Sequence, residues 1–92
     1  MSIHKYEINN KEFTLKLPKK YRILGIEKTK YHEYLYILVD KSRGELTDKT
    51  FKVFVEDTEI HEVFDNLNYI GSFTMGFLEF TTRYHLFEIK KT

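Results

Sequence analysis

The sequence predicts an all-β protein, mainly antiparallel, built as a small barrel or sandwich of six to seven strands with one short helix near residues 58–66. Three observations predict it. Seven Tyr and eight Phe stand beside many Val, Ile and Thr, while Ala and Gln are absent, which suits a pleated, half-buried surface better than a helical bundle. Apolar residues alternate with polar ones over several short runs. Turn-forming residues punctuate those runs at intervals of roughly 8–12 residues.

The elements follow in order. Ile3 to Ile8 alternates loosely, Asn9-Asn10 is a turn signal, and Phe13, Leu15 and Leu17 alternate with Thr14 and Lys16, so this stretch is expected to form a hairpin. Pro18 has no ladder donor and stops the second strand, leaving Lys19-Lys20 in a loop. A strand over Tyr21 to Lys28 comes next. Glu33 to Asp40 is the most apolar segment and reads as a central strand. Lys41 to Lys49 is expected to be a polar loop, and Thr50 to Glu56 a strand with Phe51, Val53 and Val55 on one face and Phe54 on the other. Ile60, Val63, Phe64 and Leu67 fall at helical spacing behind Asp57 or Thr58 as N-cap, which gives the short amphipathic helix. Tyr69 to Thr74 returns to strand, Gly76 marks a bend, and Arg83 to Ile89 is the last strand. No repeat or linker interrupts the pattern, so residues 1–92 form a single domain.

Composition removes several classes of function. Fifteen Lys or Arg against fourteen Asp or Glu leave a formal charge of +1, which disfavours a polyanion such as nucleic acid as partner. The absence of cysteine removes disulfide frameworks, cysteine-based metal sites and thiol catalysis. The longest apolar run, Tyr34 to Val39, is far short of a membrane span, and Met1 to Glu7 has no signal-peptide core. A cytoplasmic protein without a cofactor is expected.

Enzymatic chemistry finds no constellation. His61-Glu62 followed by Asp65 lacks the second histidine of a zinc helix, and neither it nor His32-Glu33 is assigned a metal. Gly71-Ser72-Phe73 lacks the second glycine of a nucleophile elbow. No catalytic residue is assigned. What stands out is aromatic density joined to scattered cations. Rings stack on bases for roughly 1–3 kcal/mol each, and Arg grips phosphate through paired donors. Tyr31, Tyr69, Phe73 and Tyr84 are the candidates for stacking; Arg43, Arg83, Ser72 and Thr74 are the candidates for phosphates or base edges. The stretch Ser72 to Thr82 also sets hydroxyls among Phe73, Met75, Phe77 and Phe80, as a subunit contact or a ligand lid would.

Along the chain the order Ile3-x-Lys5-Tyr6, Leu17-Pro18, Ile23-Leu24-Gly25-Ile26, Leu38-Val39-Asp40, Phe51-Lys52-Val53-Phe54, Tyr69-Ile70-Gly71-Ser72-Phe73 and His85-Leu86-Phe87-Glu88 resembles a family of small, largely uncharacterised tailed-phage proteins. The resemblance covers nearly the whole chain and implies a phage origin. Small phage proteins of this kind are similar to viral anti-CBASS sponge proteins. The expectation is therefore a non-enzymatic homo-oligomer, dimer or tetramer, in the cytoplasm of an infected bacterium, that sequesters a cyclic (di)nucleotide immune signal between subunits. Two alternatives remain. One is a protein-binding module that inhibits a host protein through an edge strand or the Phe77 to Phe80 loop. The other is a small barrel that binds single-stranded nucleic acid.

Overall fold

A computed structural model describes residues 1–41, 44–77 and 80–90. Its strands are β1 (Ser2–Glu7), β2 (Glu12–Pro18), β3 (Lys20–Lys28), β4 (Glu33–Asp40), β5 (Leu46–Val55), β6 (Leu67–Phe77) and β7 (Phe80–Ile89). They form two antiparallel sheets, of three strands in the order β1-β4-β3 and of four in the order β2-β5-β7-β6. The architecture is an open sandwich, so of the two expected forms the closed barrel is set aside.

The core follows from strand alternation. On β4, Leu35, Ile37 and Val39 point inward at 0, 0 and 1% exposure, while Tyr34, Tyr36 and Leu38 take the outer face. The opposite sheet contributes Leu17, Phe51, Phe73 and Leu86, and the rings of Phe13 and Phe51 stack at 5.2 Å. Each such side chain contributes roughly 1.5–3 kcal/mol of transfer free energy. β4 is central, as expected, but only one of its faces is fully covered.

Several expectations are corrected. β1 and β2 do not form a hairpin: β1 pairs with β4 and β2 with β5, so the chain changes sheet across Asn9-Asn10. Ile8 N–H bonds to the Glu33 carbonyl at 2.8 Å and Val53 N–H to the Lys11 carbonyl at 2.8 Å, which anchors the crossing to both sheets. Part of the expected 41–49 loop is strand, since β5 begins at Leu46. The helix near residues 58–66 is absent, and only a 3-10 turn at Phe64–Asn66 forms there. Its apolar stripe finds nothing to cover it, with Ile60, Val63 and Phe64 at 38, 63 and 86% exposure, and two turns without tertiary packing do not hold. Gly76 is no bend. β6 runs through it to Phe77, which pairs with Phe80 in a long β6–β7 hairpin. Pro18 does end β2, at the tip of an edge strand.

One polar bond ties the two sheets through the core. Glu88 on β7 opposes Phe51, faces inward and is 6% exposed. Tyr21 on β3 donates its hydroxyl to Glu88 Oε2 at 2.6 Å. Burial first, and then the neighbouring carboxylate, raise the Tyr21 phenol well above its ordinary 10.0. Because the folded chain keeps this proton where the unfolded chain loses it, the associated stability is complete below about pH 10 and falls as pH rises beyond it. Replacing Tyr21 with Phe leaves a buried carboxylate without its donor, and the denaturant midpoint at neutral pH should fall by the equivalent of about 1–3 kcal/mol. The same variant should lose stability less steeply than the parent above pH 10.

Candidate functional site

At one end of the sandwich the sheets part around a cleft of about 370 Å³. The chain crossing at Asn9 and Asn10 forms one wall, Phe73, Met75 and Tyr84 another, and Tyr31 stands at the mouth. Phe73 and Tyr84 are cross-strand partners on β6 and β7 with rings stacked at 5.6 Å and 14°. Phe73 is 7% exposed and serves the core, so Tyr84 presents the pair to the cleft. Tyr31 is 77% exposed in the β3–β4 turn. That turn is closed by Thr29 N–H to the His32 carbonyl at 2.8 Å, and Thr29 Oγ1 accepts from His32 N–H at 3.1 Å. Lys30 Nζ lies 5.3 Å from the Tyr31 ring centre.

The polar groups of the cleft are mixed in sign. Glu7 and Glu33 line it together with Lys11. Glu7 Oε1 lies 2.6 Å from His32 Nδ1, and Glu33 lies 3.5 Å from Lys28, which also donates to the Thr74 carbonyl. Carboxylates and amides around aromatic rings suit a flat ligand with donors on its edge, and Lys11 is placed to meet an anionic substituent.

Of the eight residues expected to bind a ligand, the structure therefore brings three together here: Tyr31, Phe73 and Tyr84. Four others lie apart. Tyr69, Ser72, Thr74 and Arg83 belong to the outward set of the β6–β7 hairpin, because Ser72 and Thr74 alternate with inward Phe73. There Arg83 Nη1 donates to Ser72 Oγ at 3.0 Å and Tyr69 Oη lies 2.9 Å from His85 Nδ1. Arg43 lies outside the described residues, as do the side chains of residues 76–80 on which the Phe77 to Phe80 contact rests. Sequence reasoning missed His85 and Glu56, which complete the outward cluster; the alternation that buries Leu86 and Glu88 was the signal that could have placed His85 outside.

The remaining candidates are peripheral. His61 is an exposed side chain 3.7 Å from Glu59, while Glu62 is tied to Lys52 and holds that ammonium above its usual range through their hydrogen bond. Among the described residues no group of three or more His, Asp or Glu converges as metal ligands would. A second hollow of about 550 Å³, lined by Met1, Lys19, Lys20, Arg22 and Asp40, lies at the opposite end of the three-stranded sheet, with Tyr21 as its one aromatic wall. No helix among the described residues is long and apolar enough to cross a membrane.

Against known proteins, the model of a domain of unknown function, DUF7352, matches residues 1–92. No curated protein and no solved structure matches. Exposure separates the cleft residues energetically. Tyr31→Ala should leave the unfolding free energy within about 0.5 kcal/mol of the parent, whereas Phe73→Ala should cost about 3–5 kcal/mol in a denaturant titration.

Proposed function

The chain belongs to the DUF7352 family of domains of unknown function, and from that premise we propose that it is a phage-encoded, non-enzymatic binding protein that sequesters a cyclic (di)nucleotide immune signal as a homo-oligomer. The observation that carries the reading is the aromatic cleft, where Tyr31 and Tyr84 flank a space of about 370 Å³ edged by carboxylates and amides. A nucleobase inserted there stacks on a ring, and its N–H donors meet Glu7, Glu33 or an Asn side chain. The phosphates stay at the rim near Lys11. The space takes one base with its sugar, so a dinucleotide needs the cleft of a second copy for its other half, which is the reason to expect an oligomer.

A protein-binding role is favoured by a different observation: Val63 and Phe64 are exposed side by side at 63 and 86%. In that reading the 60–64 segment docks on a host protein, and Phe64→Ser abolishes its recovery from host lysate without altering the thermal midpoint.

The sponge reading is tested by thermal shift against a panel of cyclic dinucleotides, followed by analysis of the recovered ligand. At about a hundred times its dissociation constant a ligand stabilises the fold by roughly 2.7 kcal/mol, and Tyr31→Ala should remove most of that gain. Intact ligand is expected back. Cleaved ligand contradicts the non-enzymatic role, and a flat response across the panel contradicts the sponge.

A further inference from the structure

The outward face of the β6–β7 hairpin holds a chain of hydrogen bonds that the cleft does not use. Tyr69 Oη lies 2.9 Å from His85 Nδ1, and His85 Nε2 lies 3.0 Å from Glu56 Oε1. Glu56 follows β5 in a turn where Thr58 N–H and Oγ1 both bond to the Val55 carbonyl and Asp57 adopts a φ of 66°. Its own N–H donates to the Arg83 carbonyl at 2.9 Å, which fixes it beside β7. An ionised carboxylate only accepts, so the imidazole presents its Nε2–H to Glu56. In the neutral ring Nδ1 is then a lone pair, and the Tyr69 hydroxyl donates into it.

Next to this relay stand two donors. Ser72 opposes His85 in the strand register, and Arg83, two residues before His85 on the same face, is exposed and gives Nη1 to Ser72 Oγ at 3.0 Å. The Ser72 oxygen is thereby an acceptor, which leaves its own O–H free to donate, and Arg83 is exposed to solvent. Tyr69, 53% exposed, packs edge-on against Phe87 at 5.1 Å, which closes the apolar side. The titratable groups that face the imidazole are Tyr69 from β6, Glu56 from the end of β5 and Arg83 along β7; Lys52, opposite Phe87, is held by Glu62 and lies 3.9 Å from Glu12.

We propose that this face is a second binding site, separate from the cleft, for the tetrahedral oxyanion of a phosphate ester, and that the Glu56–His85–Tyr69 relay couples its occupation to uptake of one proton. With His85 neutral, the Tyr69 O–H is spent on Nδ1. When His85 is protonated, Nδ1–H donates to Tyr69 Oη, Nε2–H remains on Glu56, and the phenol proton is released to point at the anion beside Arg83 and Ser72. The polarity of the whole relay reverses, and a site with two donor groups becomes a site with three. Glu56 lies on the far side of the imidazole, where it stabilises the cation without meeting the ligand.

The proposal does not depend on the cleft reading, and its test separates the two. Sulfate is the probe, since it stays a dianion across the range, titrated at pH 5.5 and pH 8 while the ring resonances of His85 are followed by NMR. Affinity should be at least about tenfold higher at pH 5.5 than at pH 8, because binding takes up one proton. Arg83→Gln should abolish binding at both values with an unchanged thermal midpoint, Tyr69→Phe should remove the pH dependence, and Tyr31→Ala should have no effect. Phenyl phosphate displacing sulfate at lower concentration than inorganic phosphate would support an ester with its substituent against Tyr69 and Phe87. Equal displacement would overturn the ester assignment. Equal sulfate affinity at the two pH values would overturn the relay, and Arg83→Gln binding like the parent would overturn the site.

Discussion

Everything in this molecule depends on one thin apolar layer shared by two sheets. A three-stranded and a four-stranded sheet each carry an apolar face that must be covered, and the eight buried apolar side chains among the described residues are what both have in common. The chain changes sheet after β1, after β2 and again after β4, so neither sheet can assemble without the other. Tyr21 and Glu88 add a directional bond to this layer, and it forms only when the sheets are in register. With a domain of this size stable by about 5–15 kcal/mol, a single defect in that layer is a large fraction of the total.

The same layer positions both candidate sites. Side chains alternate with a period of two, so burying Phe73, Leu86 and Glu88 obliges Ser72, His85 and Phe87 to face out. The β6–β7 hairpin thus presents an aromatic pair, Phe73 and Tyr84, to the cleft and a polar set, Ser72, Arg83 and His85, to the opposite side. Of the residues read together in the sequence as one nucleotide site, the six on the β6–β7 hairpin are divided between its two faces. A ligand that used all of them would have to pass through the sheet.

Much of the fold was legible because strand alternation is a local property. The alternations Phe13-Leu15-Leu17 and Phe51-Val53-Val55 and the dense run from Tyr34 to Val39 all correspond to observed strands. What failed were inferences that needed a partner. Asn9-Asn10 carries turn chemistry, but whether a turn closes a hairpin or carries the chain to another sheet depends on strands far away in sequence. Ile60, Val63, Phe64 and Leu67 have helical spacing, but spacing stabilises a helix only where a surface receives its stripe. In the site, Tyr31 and Tyr84 could be suspected from residue type alone. His85 and Glu56 could not be linked, because 29 positions separate them and only the β5–β7 pairing brings them within 3.0 Å.

The two proposed sites, an aromatic cleft for a base and an outer face for an oxyanion, lie on opposite sides of one hairpin and are proposed to fill independently. A two-dimensional NMR titration of the isotopically labelled protein with each cyclic dinucleotide of the thermal-shift panel separates them. Resonances of Tyr31, Tyr84 and the Asn9-Asn10 side chains should move first and saturate together, while the His85 ring and Tyr69 stay in place until the cleft is full. Simultaneous movement of both groups, or movement of the His85 face alone, would contradict that separation.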